Sequence, residues 1–131
     1  MRNLTILAAA AVAVTSALSC GGSSSTTPTP GGGTTPTGTN TIVISDNTLS
    51  PQNITVARGS QVTVTNNDSR DHEMDSDPHP EHTDCPELNQ IGFLNPGQSR
   101  QSGNLNTARK CGIHDHGDPN RATLKATITI Q

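Results

Sequence analysis

The sequence has almost no aromatic side chains: it contains no tryptophan, no tyrosine and one phenylalanine, Phe93. A core without rings must be built from aliphatic side chains, each of which buries less surface than an aromatic ring. The chain also lacks an excess of positive charge, because its 8 Lys and Arg residues face 11 Asp and Glu residues, for a net charge of -3. No basic stripe interrupts this balance, and we therefore expect no nucleic-acid partner.

The apolar run near the N-terminus is too short to span a membrane as a helix. It extends from Leu4 to Leu18, follows a basic start and ends just before Cys20. This pattern is typical of a cleavable signal peptide, which we predict over residues 1–19. The segment Ala17-Leu18-Ser19-Cys20 resembles a lipobox, the motif that directs a lipid to the cysteine thiol. The resemblance implies a lipidated Cys20; the alternative is ordinary cleavage that leaves a free thiol.

Residues 20–40 comprise Cys20 and a linker rich in Gly, Ser, Thr and Pro. The linker, residues 21–40, has no apolar side chain larger than that of proline. Such a segment cannot bury enough surface to offset its ordering entropy, and we predict a flexible tether. These features predict an extracytoplasmic protein whose lipid anchors it to a bacterial membrane, at the outer membrane or periplasm or at the cell surface. The membrane is then a partner through the anchor.

Residues 41–131 are predicted to form one small all-β domain. Apolar residues alternate with polar ones at Ile42 and Ile44, at Ile54 and Val56, and at several later positions, among them Val62, Val64, Leu124, Ala126, Ile128 and Ile130. This period of two, rich in β-branched residues, is typical of half-buried antiparallel strands. Several short strands at this spacing predict a sandwich or small barrel. A domain of about 90 residues buries only about 60% of its unfolded surface, so a metal or a disulfide would add needed stability.

One long polar stretch interrupts the strand pattern. Residues 66–92 hold eight of the eleven acidic residues and three of the five histidines. Long irregular insertions in compact domains are usually functional or disordered. We interpret most of these carboxylates as solvated side chains of a loop.

The sharpest local motif is Cys111-Gly-Ile-His114-Asp-His116, between a predicted strand and the last one. A thiolate and an imidazole three residues apart can both reach one ion from a strand end and its loop. Sulfur and nitrogen ligands together suit copper or zinc. His72 follows another predicted strand across a short turn, and it is a further candidate ligand.

The order of these motifs resembles that of a cupredoxin, the plastocyanin and azurin type of copper protein. The segment Leu49-Ser-Pro-Gln-Asn-Ile-Thr-Val56 is similar to the family's second strand, and His72 comes where its first histidine is expected. Leu94-Asn-Pro-Gly-Gln-Ser99 resembles a family turn, and Cys111-x-x-His114 resembles the second ligand cluster. The resemblance covers residues 41–131 and implies a Greek-key β-sandwich or barrel.

The resemblance also implies a copper site. Carried over by position, it assigns His72, Cys111 and His114 as equatorial ligands of a site that transfers one electron. The sequence departs from the family at the axial ligand, because the usual methionine falls near Pro119. Met74 lies in another segment, and a backbone oxygen or His116 would have to serve. The predicted metal ligands are therefore His72, Cys111, His114 and His116, with copper as the cofactor and zinc as the alternative.

If two of the cysteines form a disulfide, the predicted metal site changes. Exported proteins live in oxidising surroundings, and Cys85 and Cys111 form an even pair once Cys20 is lipidated. A Cys85–Cys111 disulfide and a Cys111 thiolate ligand exclude each other. With the disulfide, His72, His114 and His116 would still supply imidazoles, with further histidines nearby at His79 and His82. His114 and His116 share a face of an extended segment because they are two residues apart.

Three functions follow from these alternatives. The leading hypothesis is a membrane-tethered copper protein of electron transfer, with a redox or copper-transfer protein as its partner. The second is a module that sequesters or delivers copper or zinc through an all-histidine site. The third is a metal-free β-sandwich used for adhesion or as an accessory subunit, which leaves the clustering of the histidines unexplained. We expect no enzyme, because the sequence has no Ser/His/Asp arrangement with a recognisable nucleophile turn.

Overall fold

The computed structural model describes residues 38–131. The predicted signal peptide, the lipidation at Cys20 and most of the predicted linker lie outside the described residues. No helix within residues 38–131 is long and apolar enough to cross a membrane.

The described residues form nine strands and two short 3-10 helices. The strands are β1 (Thr41–Ser45), β2 (Thr48–Ser50), β3 (Asn53–Val56), β4 (Thr63–Asn66), β5 (His72–Ser76), β6 (Gly92–Leu94), β7 (Ser99–Gln101), β8 (Arg109–Asp115) and β9 (Lys125–Ile130). The 3-10 helices are Pro86–Gln90, before β6, and Ala122–Leu124, before β9.

The strands are arranged in two sheets. One has the order β2-β1-β4-β7 and the other the order β3-β9-β8-β5-β6. Both are mixed, because β1 pairs with β4 and β3 with β9 in parallel, while the remaining pairs are antiparallel. The prediction of an all-β sandwich is confirmed. All residues discussed below as candidate ligands lie on the five-stranded sheet or on the loops beside it.

The alternation seen in the sequence places the aliphatic side chains inside. Ile42, Ile44, Val64, Ile128 and Leu94 are fully buried, in a single cluster of buried apolar residues. Because successive strand residues point to opposite faces, the intervening threonines face outward. Phe93, the single aromatic ring, is 47% exposed, so the core is built without any aromatic ring.

The predicted turn at Asn95-Pro96-Gly97 joins β6 to β7. The Gln98 N–H donates to the Asn95 carbonyl at 3.0 Å, and Gly97 has a φ of 78°. A proline followed by a residue with positive φ is the pattern of a type II turn, which needs glycine at that position.

The long polar stretch is more regular than the sequence suggested. Residues 66–92 contain all of β5 and the 3-10 helix Pro86–Gln90, so the longer irregular parts are a turn at residues 67–71 and a loop at residues 77–85. The sequence pattern missed β5 because its alternation is carried by His72, Met74 and Ser76, of which only Met74 is apolar. All three are buried.

A candidate histidine metal site

The spacing of Cys111 and His114 along β8 decides where the two side chains point. Cys111 pairs with the buried Ile128, and His114 pairs with the exposed Lys125. Paired residues share a face of the sheet, and residues three apart on one strand face opposite ways. Cys111 therefore points into the core, whereas His114 lies on the outer face. The two side chains cannot bind one ion together.

The sulfur of Cys111 is bonded to that of Cys85, with the two Cα atoms 5.8 Å apart. Both cysteines are buried in the core. The disulfide alternative is confirmed, and the expectation of a Cys111 thiolate ligand is corrected, because a sulfur in a disulfide has no thiolate to offer. The bridge ties β8 to the loop between β5 and the first 3-10 helix.

His72 lies on the inner face at the start of β5, and its side chain is fully buried. Its Nδ1 is 2.7 Å from Asp115 Oδ2, and its Nε2 is 2.9 Å from Asp68 Oδ2. The Arg70 guanidinium approaches the same Asp115 oxygen at 3.4 Å. Each ring nitrogen is occupied by a carboxylate, so neither is free for a metal ion. The predicted set of His72, Cys111 and His114 is thus not brought together.

Burial raises the pKa of Asp68, but hydrogen bonds oppose it. The Asn47 backbone N–H donates to Asp68 Oδ2 at 3.0 Å, and His72 lies on the same oxygen. These hydrogen bonds outweigh burial and hold the pKa of Asp68 below its ordinary value of 3.8. The Asp68–His72–Asp115 group is a closed, charged element of the core.

The other four histidines meet on the outer face of the five-stranded sheet. Potential ligand atoms of His79, His82 and His116 all lie within 4.8 Å of one another. His114 lies alongside, with its ring centroid 5.2 Å from that of His82 and 5.6 Å from that of His79. We refer to His79, His82, His114 and His116 as the histidine cluster.

Two segments supply the histidine cluster. His114 lies near the end of β8 and His116 directly follows the strand; they share a face because they are two residues apart. His79 and His82 come from the loop that follows β5, the strand paired with β8. The Asp84 side chain on this loop accepts from the Gly112 N–H at 3.0 Å, and the Asp77 N–H donates to the Gly112 carbonyl at 3.1 Å. The disulfide and these bonds hold the loop against β8.

His82 is held in one tautomer. Its Nδ1 lies 2.9 Å from the Ser76 carbonyl oxygen, so Nδ1 carries the proton and donates it. Asn89 supports this geometry, because its side chain donates to the His82 carbonyl at 2.9 Å and accepts from the Ser76 N–H at 2.8 Å. The lone pair of neutral His82 is then on Nε2, which faces His116 Nδ1 at 3.1 Å.

His114 has a buried nitrogen without a partner. Its Nδ1 lies 2.7 Å from Asp77 Oδ1, while its Nε2 is buried and forms no hydrogen bond. A carboxylate on one ring nitrogen and an open lone pair on the other is the arrangement of metal-binding histidines, because the carboxylate orients the ring and raises its basicity. Burying an unpaired nitrogen is costly, and a bound cation would satisfy it.

His79 and His116 complete the cluster on its exposed side. Desolvation, followed by the like charges of His116, His114 and His82, lowers the pKa of His79 below its ordinary value of 6.5. His79 is therefore neutral at pH 7, the form that binds metal ions. His116 also lies near acidic side chains, since its Nδ1 is 3.6 Å from Asp75 Oδ2.

Of the predicted ligands, the structure brings His114 and His116 into the cluster and leaves His72 and Cys111 outside. It adds His79 and His82, which the sequence indicated only as nearby imidazoles. Their signal in the sequence was the run of prolines and histidines, Pro78-His79-Pro80-Glu81-His82. Met74 is fully buried on the inner face, so it does not reach the cluster.

No protein-family model matches this sequence, and no curated protein matches it. Similar folds do occur among solved structures. A purple cupredoxin from Nitrosopumilus maritimus is 19% identical and has a TM-score of 0.53, over 70% of this chain and 98% of the other. Oxidised plastocyanin from Dryopteris crassirhizoma is 20% identical with a TM-score of 0.54, over 70% and 99%. A reduced amicyanin mutant is 15% identical with a TM-score of 0.54, over 70% and 80%.

These likenesses identify the fold: residues 38–131 form a cupredoxin-like domain. The predicted fold type is thereby confirmed. The ligand set that the resemblance implied does not fit these residues, because Cys111 is in a disulfide and His72 is held by two carboxylates. The nitrogen donors of the histidine cluster do fit a borderline divalent ion, since imidazole suits copper and zinc.

Proposed function

We propose that this protein binds copper through the histidine cluster and acts as a copper-sequestering or copper-delivery module outside the cytoplasm. The observation that carries the proposal is the meeting of four imidazoles from two segments, one of them with a buried, unpartnered Nε2. When bound there, the ion would be held by His79, His82 and His116, with His114 as a further ligand.

Copper is favoured over zinc on two grounds. Nitrogen sites bind Cu(II) more tightly than other divalent first-row metals, zinc included. Solved structures of the same fold include amicyanin in a Cu(I) form. Zinc stays the alternative ion, because a tetrahedral set of imidazoles also suits it.

A role in delivery is supported by the position of the histidine cluster. His79 is exposed and His82 and His116 are half-buried, so an incoming protein can reach these ligands directly. A copper-transfer protein is the partner that this geometry suits. Ligand exchange between two proteins needs accessible donors on both, and a fully buried site would oppose it.

Electron transfer is the second candidate function. It is favoured by the likeness to plastocyanin and amicyanin, which were solved in oxidised and reduced forms. The disulfide argues against a thiolate-tuned blue site. An electron carrier with this ligand set would use imidazoles alone and a redox protein as its partner.

A location outside the cytoplasm is part of the proposal. The Cys85–Cys111 disulfide supports it, since structural disulfides persist in oxidising compartments. We further propose that Cys20 carries the lipid and that the linker tethers the domain to the membrane. Labelling with a fatty-acid analogue is expected to mark the protein and to be lost in Cys20→Ser; labelling that survives this change would contradict the anchor.

Copper titration of the purified protein tests the metal site. We expect one Cu(II) ion to bind with a weak ligand-field band and nitrogen couplings in the electron paramagnetic resonance spectrum. The triple variant His79→Gln, His82→Gln and His116→Gln is expected to lose this binding. His72→Gln is the matched control, because His72 is the one histidine outside the cluster. This variant is expected to retain copper binding.

Two outcomes would contradict the proposal. Equal copper affinity in the triple variant and the parent protein would exclude the histidine cluster. An intense blue band would show a thiolate ligand and favour electron transfer at Cys111. Competition with Zn(II) in the same titration separates the two candidate ions.

A further inference from the structure

A cleft opens on the outer face beside the histidine cluster. Its volume is about 380 Å³, and its walls are Asp77, Pro78, His79, Pro119, Asn120 and Lys125. A second cavity of about 280 Å³ also has Asp77 and Lys125 in its wall. The wall of the first cleft thus includes both a candidate metal ligand, His79, and a lysine, Lys125.

The register of the sheet places Lys125 beside the histidine cluster. Lys125 pairs directly with His114 across β8 and β9, so both side chains project from the outer face. Directly opposite residues have Cβ atoms about 5 Å apart. Lys125 is exposed, and it forms no ion pair with any of residues 38–131.

An ammonium group next to a divalent cation is unfavourable unless an anion lies between them. Like charges at short range repel, and an interposed anion turns both contacts into attractions. Asp77 supplies part of this negative charge, but its Oδ1 is engaged by His114 Nδ1 at 2.7 Å. The cleft remains open between His79 and Lys125.

The lining of the cleft indicates the class of anion. Lys125 and the Asn120 amide are hydrogen-bond donors, and Pro78 and Pro119 supply apolar walls. A carboxylate accepts from both kinds of donor, and a short hydrocarbon body would pack on the proline rings. The Asp77 carboxylate in the same wall disfavours a dianion.

We propose that this cleft binds a small monocarboxylate between His79 and Lys125, as an exogenous ligand beside the metal. The inference rests on the proposed copper function of the histidine cluster. It names the class of additional ligand that the site would take beside copper, a small monocarboxylate.

The test is a titration of the copper-loaded protein with sodium acetate. We expect the ligand-field band and the paramagnetic resonance spectrum to shift saturably with acetate, and to respond much less to sulfate. Lys125→Gln is expected to weaken acetate binding by about three- to tenfold, because it removes one charge-assisted hydrogen bond at an exposed site. Copper affinity, measured separately by competition with a chelator, is expected to stay within about twofold of the parent value.

Lys110→Gln is the matched control, since Lys110 is the other lysine of the chain and is also exposed on β8. It is expected to change neither acetate nor copper affinity. Unchanged acetate affinity in Lys125→Gln, or no acetate response in the copper-loaded parent protein, would overturn the inference while leaving copper binding intact. A failure of copper to bind at all would instead defeat the proposed function.

Discussion

Both faces of the five-stranded sheet carry histidines beside acidic side chains, but these histidines have different roles on the two faces. On the inner face, His72 is held by two carboxylates and Cys111 by Cys85, and every one of these side chains has its partner. On the outer face, His114 has a buried nitrogen with no partner and lies against two other imidazoles, those of His79 and His82. A histidine is a candidate ligand only where at least one of its nitrogens is not occupied by a carboxylate or a carbonyl oxygen.

The two faces also differ in what they contribute to the stability of the fold and to metal binding. The inner face is closed and contributes to the folded state through a disulfide and a buried charged group. The outer face leaves His114 Nε2 buried and unpaired, which costs stability. A buried polar atom without a partner often has a functional role. The following changes test this division, from the largest expected effect to the smallest.

Removing the disulfide should have the largest effect on stability. The double variant Cys85→Ala, Cys111→Ala reopens a loop of 26 residues. On the chain-entropy model this costs about 3.5 kcal/mol in free energy of unfolding. Urea denaturation measures it, and the parent protein under a dithiol reductant serves as the control. A loss below about 1 kcal/mol would show that the bridge is not a main support of the fold.

Breaking the Asp68–His72–Asp115 group should lower the free energy of unfolding by nearly as much. His72→Gln removes the imidazole between Asp68 and Asp115, and we expect a loss of about 3 kcal/mol because each carboxylate loses a buried charge-assisted hydrogen bond. His79→Gln, on the exposed side of the cluster, is the control and should change the unfolding free energy by less than about 0.5 kcal/mol. Copper affinity should respond in the reverse order: unchanged in His72→Gln and reduced in His79→Gln. If His72→Gln abolished copper binding, the two faces would not be separate in function.

The carboxylate that orients His114 should matter for metal binding more than for folding. Asp77→Asn removes the charge at Oδ1, 2.7 Å from His114 Nδ1. We expect copper affinity to fall about tenfold, the lower end of the effect of such outer partners. Asp84→Asn is the control, since Asp84 bonds to the Gly112 N–H of the same strand but touches no cluster histidine. An equal loss in both variants would mean that the loop as a whole was disturbed.

Acid should weaken the inner face through protonation of Asp68. Its pKa in the folded protein lies below 3.8. The stabilisation is therefore fully present above the unfolded value and is lost as the pH falls through the folded pKa. Urea midpoints measured at intervals from pH 5 to pH 2 should fall more steeply in the parent protein than in Asp68→Asn. Asp71→Asn, at an exposed aspartate, should keep the parent slope; a parent-like slope in Asp68→Asn would contradict the assignment.

Part of the candidate site could be predicted from the sequence. The pair His114 and His116 shares a face by its spacing alone. The Pro-rich segment indicated His79 and His82 only as nearby imidazoles, because the sequence pattern missed β5, the strand before them. The expectation for His72 and Cys111 failed for a physical reason. Their assignment assumed that Cys111 lies at a strand end, whereas β8 continues to Asp115 and sends Cys111 inward.

The sequence by itself determined the all-β fold, because alternation with period two is a local property that each strand carries in its own residues. It also limited the chemistry to thiols, carboxylates and imidazoles. Only the tertiary structure decided which cysteine sulfur meets which partner and which imidazoles meet one another. Those outcomes depend on strand register and on residues up to 43 positions apart, such as His72 and Asp115, and no local pattern encodes such contacts.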